Sequence, residues 1–346
     1  MAQGLAQGAA GLPKFPLSPV MCAVVLGMLW RNTLGVPTWA LSGLDWTMHR
    51  LLRVGIALVG LRLTLGGATA IAATALPVAL SCLAVALIAG IGLSRLLAVP
   101  RRLGLLLAIG TAVCGCTAVV AMSPVIRARH AETAFAVTCV VLFGCIAMLL
   151  YPWVAGHFLA ASPVHAGIFL GTAIHDTSQV IGAALIYSQQ AAAPAALAAA
   201  SVAKLLRNLS IAVLIPAAAW LAQREERAAG LKSQTAGGAD AEAAAPARRV
   251  PLVPLFVLGF VGFILARTLG DALYAPSAPL WQALVSTGYT ASDLFLTCGM
   301  TAVGLSVSFS DMWRIGWRPL AAGLAVATLV GGCSLLLTCT LLHLRG

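Results

Sequence analysis

The chain is written in long apolar runs separated by short basic or proline-bearing breaks. Runs at 18–30, 51–65, 75–97, 103–126, 133–159, 164–187, 192–221, 251–269, 289–308 and 319–342 approach or exceed the roughly 20 apolar residues that a helix needs to cross a hydrocarbon core. They predict an all-α polytopic membrane protein with about ten hydrophobic segments, eight to ten of them crossing. The short alternating segments of a membrane β-barrel are absent. The run at 18–30 is short and fits a tilted helix. Pro37 and Asp45 predict a loop before the second run, and 278–288 predicts a short interfacial helix.

Two of the runs are interrupted. Within 103–126 stands GTAVCGCT (110–117). Within 164–187 stand five consecutive polar residues, His175, Asp176, Thr177, Ser178 and Gln179. Asp176 is the one acidic residue placed deep in an apolar run, where an ionisable side chain costs roughly 2.5–3.5 kcal/mol on insertion scales. A chain keeps such a group where it has a partner or lines a polar cavity. The plainer reading is a polar cluster that only ties helices together.

The interrupted runs also resemble each other. GTAVCGCTAVV (110–120) and GTAIHDTSQVI (171–181) share G-T-A and the aliphatic positions, and GIALVGLRLTL (55–65) and GMTAVGLSVSF (299–309) share Val-Gly-Leu in register. Paired interrupted segments in a duplicated membrane body point to a transporter site. With 223–250 placed in the cytoplasm, runs 51–65 and 289–308 point in opposite directions whether the interrupted runs cross or re-enter, so inverted repeats are expected. Re-entrant backbone is tolerated only when buried in protein or facing a water-filled cavity.

Composition sharpens this picture. The 346 residues are 60% hydrophobic and 9% charged, with a mean hydropathy of +0.97, against about 25% charged in a soluble domain. The net charge of +11 sits mostly at segment ends, as the positive-inside rule expects, and does not indicate a nucleic-acid partner. The nine cysteines lie in or beside apolar runs, and the C-x-C of Cys114 and Cys116 has too few companions for a metal site. No phosphate-binding G-x-x-x-x-G-K-[ST] is present, and no cofactor or secretory leader is expected. The chain divides into a tail (1–16), a membrane body with both interruptions (17–222), a charged, Ala/Gly-rich linker read as disordered and cytoplasmic (223–250), and a last membrane part (251–346).

The chemistry gathers on three stretches. Lys204 and Arg207 lie three apart on one helical face with Asn208 beside them, in the middle of run 192–221. Two cations at that depth call for an anionic partner or an anionic solute, and a structural ion pair with Asp176 is the alternative. Either way one positive charge is left over, which suits an oxyanion. Thr111, Thr117, Thr172, Thr177 and Ser178 offer hydroxyls, Gln179 and Asn208 amides, and Cys114 and Gly115 a break at which backbone N–H groups can turn to a ligand. The same glycines and threonines also serve plain helix packing. His175 and Asp176 are the candidate coupling groups, because either can carry a proton.

GTAVCGCTAVVAMSPVI, GTAIHDTSQVIGAALIY, VAKLLRNLSIAVLIP (202–216) and LLRVGIALVGLRLTL (51–65) resemble, in that order, a family of bacterial inner-membrane proteins described as sulfate exporters. The resemblance covers about residues 18–343. It implies the fold of the cation:proton antiporter and anion transporter superfamily, with inverted repeats and broken, crossing helices. It implies a secondary transporter of a small sulfate- or sulfonate-class anion in the inner membrane, coupled to protons or sodium, and leaves room for a homodimer. The sequence departs from the family pattern at Cys114-Gly115-Cys116-Thr117, where Cys-Gly-Gly-Ser is usual, and at Thr177 and Ser178, where apolar residues are usual. A cation antiporter of the same superfamily and an intramembrane enzyme using His175, Asp176 and Cys114 are the competing readings.

Overall fold

A computed structural model describes residues 19–210, 213–214, 217, 255–274, 278–308 and 317–345. The tail 1–16 and the linker 223–250 lie outside the described residues. The described chain is helical, without strands. Its helices are α1 Pro19–Thr33, α2 Thr38–Trp46, α3 Leu52–Val59, α4 Leu65–Leu96, α5 Arg101–Ala112, α6 Cys116–Met122 and α7 His130–Phe158. There follow α8 Pro163–Ala173, α9 Thr177–Gln190, α10 Ala195–Leu209, α11 Leu255–Leu273, α12 Pro279–Ser306 and α13 Trp317–Arg345.

Four helices, α4, α7, α11 and α13, are long and apolar enough to cross a membrane. Between 22% and 44% of each one's most apolar window is buried in the protein, so the remainder faces outward as lipid-facing helices do. The chain is a membrane protein. α5, α8, α9 and α10 are the inverse case. His165 to Ala173 are buried without exception, as are Gln179 to Tyr187, and these short helices form the centre around which α4, α7 and α13 pack.

Several boundaries differ from the sequence reading. The expected loop at Pro37 and Asp45 is helix: α2 starts at Thr38 and runs through a π turn, Thr47–Leu51, into α3, because Pro37 supplies a stop without preventing a helix after it. α4 begins at Leu65 rather than 75. Gly66 and Gly67 stand in its first turn, which is capped by the Thr64 hydroxyl accepting from Gly67 N at 3.3 Å. The interfacial helix expected at 278–288 is instead the first part of the continuous α12. Its Gly288 is a packing position against Leu61, not a helix end.

α3 and α12 pack reciprocally. Gly299 lies under Leu52, Gly55 lies under Leu296, and Ser292 Oγ donates to Gly55 O at 3.0 Å. As α3 advances from 52 to 55, its partner retreats from 299 to 296, so the two helices are antiparallel. Both end alike: Leu63 and Val307, equivalent in the aligned motifs, are extended residues that close the helical run. Beside this pair, Arg267 on α11 donates to Asp271 Oδ2 (2.7 Å), Leu61 O (3.2 Å) and Tyr289 OH (2.5 Å).

Candidate functional site at the crossing of two broken helices

Each interrupted run breaks where its motif stands. α5 stops at Ala112 and α6 starts at Cys116; α8 stops at Ala173 and α9 starts at Thr177. The alignment of 110–120 with 171–181 therefore matches the breaks residue by residue, with Gly115 opposite Asp176. Gly115 has φ +71° and ψ −127°, a conformation that side chains strongly disfavour. It also leaves room for Asp176, whose Oδ2 would lie 2.9 Å from a Cβ at that position. Asp176 is extended and caps α9: its Oδ1 accepts from Ser178 N at 2.9 Å and from Ser178 Oγ at 2.6 Å.

A helix that stops inside a protein leaves its last carbonyls without partners. Here Lys204 and Arg207 supply them. Lys204 Nζ donates to Val113 O and Ile174 O, both at 3.0 Å, and to His175 O. Arg207 Nε and Nη2 donate to Ala112 O (3.1 and 2.8 Å) and Nη2 to Thr111 O (2.5 Å). Its Nη1 reaches Thr172 O (2.5 Å) and Ile174 O (3.3 Å). Val113 and Ile174 are equivalent in the two motifs, and so are Thr111 and Thr172. The two cations thus grip both breaks through matching atoms. All the donors of one ammonium and one guanidinium are used. Both side chains are fully buried.

The expected anionic partner is therefore replaced by backbone. The C-terminal end of a helix carries roughly half a negative charge, and two such ends meet the cations here. Among the described residues Asp176 makes no ion pair with either cation.

What lets α10 reach both breaks is its close contact with α8. A Cβ on Gly171 would lie 2.6 Å from Ala200 O and 2.8 Å from Ala203 Cβ, and Gly167 lies as tightly against Ala196 and Ala199. This G-x-x-x-G on α8 faces the alanine-rich start of α10, the small-residue contact by which membrane helices approach closely.

The other candidates fall around this crossing. Cys114 is buried in the first break. Cys116, Asp176, Thr177 and Ser178 are partly exposed, and Thr117 is exposed. Asn208 Nδ2 donates to Thr177 Oγ1 at 3.2 Å. Gln179 turns to α7, where Nε2 donates to Val141 O at 3.1 Å and to Cys145 Sγ at 3.5 Å. The Thr172 hydroxyl points away from the break, to Ile168 O and to Ser334 Oγ on α13, both at 2.7 Å, so this residue gives the crossing its carbonyl rather than its hydroxyl. Three of these candidates each hold a buried polar atom without a partner: His175 Nδ1, Gln179 Oε1 and Asn208 Oδ1. No group of acidic, cysteine and histidine side chains able to hold a metal occurs among the described residues.

Known sequences match this chain over most of its length. A family described as Conserved hypothetical protein 698 matches residues 5–323, a span that includes both breaks and α10. The chain belongs to that family. Its relatives carry the name UPF0324 membrane protein. One from Ralstonia nicotianae is 33% identical over 91% of this chain and 84% of its own length. One from Bordetella bronchiseptica is 34% identical over 90% of each, and one from Bacteroides thetaiotaomicron is 31% identical over 91% and 88%. No solved structure matches the chain. These names state a membrane protein and no substrate.

Val113 and Ile174 serve through main-chain carbonyls and carry no side-chain signal in the sequence. Gly167 and Gly171 were readable, because their spacing is the small-residue signature.

Proposed function

We propose that the protein is a secondary transporter moving a small anion of the sulfate or sulfonate class across the bacterial inner membrane by alternating access. The observation that carries this reading is the crossing itself: two broken helices, buried in a membrane body, held together by two cations. A polar, irregular backbone at such depth belongs where it lines a solute path. Lys204, Arg207 and Asp176 sum to one positive formal charge, and the partly exposed Thr177, Ser178 and Cys116 offer the reachable edge of the site. On this reading Lys204 and Arg207 act at one remove, setting the geometry and the field, while α9's first turn and Asn208 touch the solute. The reciprocal packing of α3 and α12 supports inverted halves, as alternating access by rocking requires. The linker 223–250 is assigned to the cytoplasm, and a proton or sodium ion to the coupling step at His175 and Asp176.

One observation favours the second reading, a cation antiporter: the donors of both cations are spent on carbonyls, which leaves a carboxylate as the reachable charged group. Counterflow in proteoliposomes separates the two. Radiolabelled sulfate should enter vesicles preloaded with sulfate, sulfite or methanesulfonate faster than empty ones, and Ser178→Ala should slow it. Sodium or proton exchange that proceeds without any anion dependence would hand the case to the antiporter.

A further inference from the structure

The carboxylate of Asp176 occupies the place that an anion would take. Its Oδ1 holds the N–H and hydroxyl of Ser178 in the first turn of α9, and its Oδ2 lies against Gly115 in the opposite break. α9 is a 14-residue helix, so its N-terminus carries a substantial positive end. An oxyanion drawn to that end meets a negative charge already in it.

A second observation shows that something else is expected there. Asn208 is buried, and its amide bonds the Thr177 hydroxyl in the same turn, yet Oδ1 is without a partner. Nδ1 of His175, the residue before Asp176, is likewise buried and unpartnered. Buried polar atoms in native proteins are nearly always satisfied, so unpartnered ones at a helix start mark where a ligand or a proton completes the set. The ionisable groups facing the carboxylate are Cys114 and Cys116 from the first break, Cys145 from α7 and Lys204 from α10, with His175 beside it in the chain. α12 meets α9 through the thioether of Met300, against Gly182.

Resting on the anion-transport reading, we infer that Asp176 is a built-in rival of the transported anion, and that the anion enters only as the carboxylate takes up a proton. The step balances. One proton from water adds to a carboxylate oxygen, and the neutral carboxyl gives up its claim on the α9 N-terminus. One anion then takes the freed N–H and hydroxyl. With a monoanion the charge of the site is unchanged, and the pair moves as one proton with one anion.

The test is calorimetric binding of sulfate and of methanesulfonate, both of which stay fully ionised between pH 6 and pH 9. The purified full-length protein is titrated in two buffers of different ionisation enthalpy. Affinity should fall as the pH rises from 6 to 9, by about tenfold per unit where one proton is taken up per anion. Asp176→Asn, which keeps a good helix cap, should bind with a flat pH dependence and take up none. Wild-type binding that is independent of pH, with no proton uptake, overturns the inference and leaves anion transport standing. Neither probe binding at any pH overturns both. The wild-type buffer comparison decides the matter even if the variant does not fold.

Discussion

Gln179 fills the space directly above Gly144, so that any side chain on α7 at that position meets its amide. The contact joins the polar turn of α9 to α7, where the amide also donates to Val141 O. Gly144→Ala should therefore displace Gln179 and destabilise the protein by about 1–3 kcal/mol, the range of overpacking in a well-filled core. A lowered thermal midpoint in detergent is the expected result, and Gly144→Ala with Gln179→Ala should recover part of it.

Lys204 differs from a ligand-binding lysine in what its removal leaves behind. Lys204→Met strands the carbonyls of Val113 and His175 in the interior and leaves Ile174 O to Arg207 alone. At about 1–3 kcal/mol for each unsatisfied buried group, the loss should be severe, and most of the protein should fail to survive purification. A Lys204→Met protein as stable as the wild type would show that the two breaks hold together without the clamp.

Two glycines predict opposite outcomes. Gly171→Val wedges α8 from α10 and should unseat both cations, with a large loss of thermal stability. Gly156 in α7 has nothing within 4 Å of the space a side chain would fill. Gly156→Ala should be neutral or stabilise by up to about 1 kcal/mol, the usual helix-propensity gain. Parallel melting curves check both.

Arg267 links α11 to the turn after α3 and to α12 through two acceptors, Leu61 O and Tyr289 OH, and is held by Asp271 on its own helix. Arg267→Met should cost about 1–3 kcal/mol, since its bonds are charge-assisted and partly buried. Asp293→Asn, which touches only the half-exposed bridge to Arg62, should cost under about 1 kcal/mol. Equal losses from the two would show that the network acts as one unit.

Much of this architecture was legible because membrane helices announce themselves by length and apolarity. The two breaks were legible for another reason: Gly115 and the run His175 to Gln179 are chemically wrong for an uninterrupted apolar helix, and the structure breaks there. Lys204 and Arg207 were readable as charges that need counter-charge. Their partners were not, because a carbonyl is the same in every residue and only the ended helices make these ones negative. The α2 and α12 boundaries were misread at Asp45 and Gly288, where polarity or small size serves a surface or a contact and does not stop the helix. Thr172 shows the same limit at a single residue, since nothing in its motif tells that its hydroxyl turns to Ser334.

The seam between α3 and α12 has a history within each molecule's making. Ser292 and Gly55 stand 237 positions apart, so the glycine-lined face of α3 is synthesised long before the helix that covers it. At about 5–20 residues per second, ribosomes need roughly 10–50 seconds to supply that partner. Through that interval the newborn half must keep a bare helix face in the bilayer, or lend it to the insertion machinery. A chain cut short before α12 would never close it, and cellular quality control would meet the same uncovered groove that the nascent protein shows for those seconds.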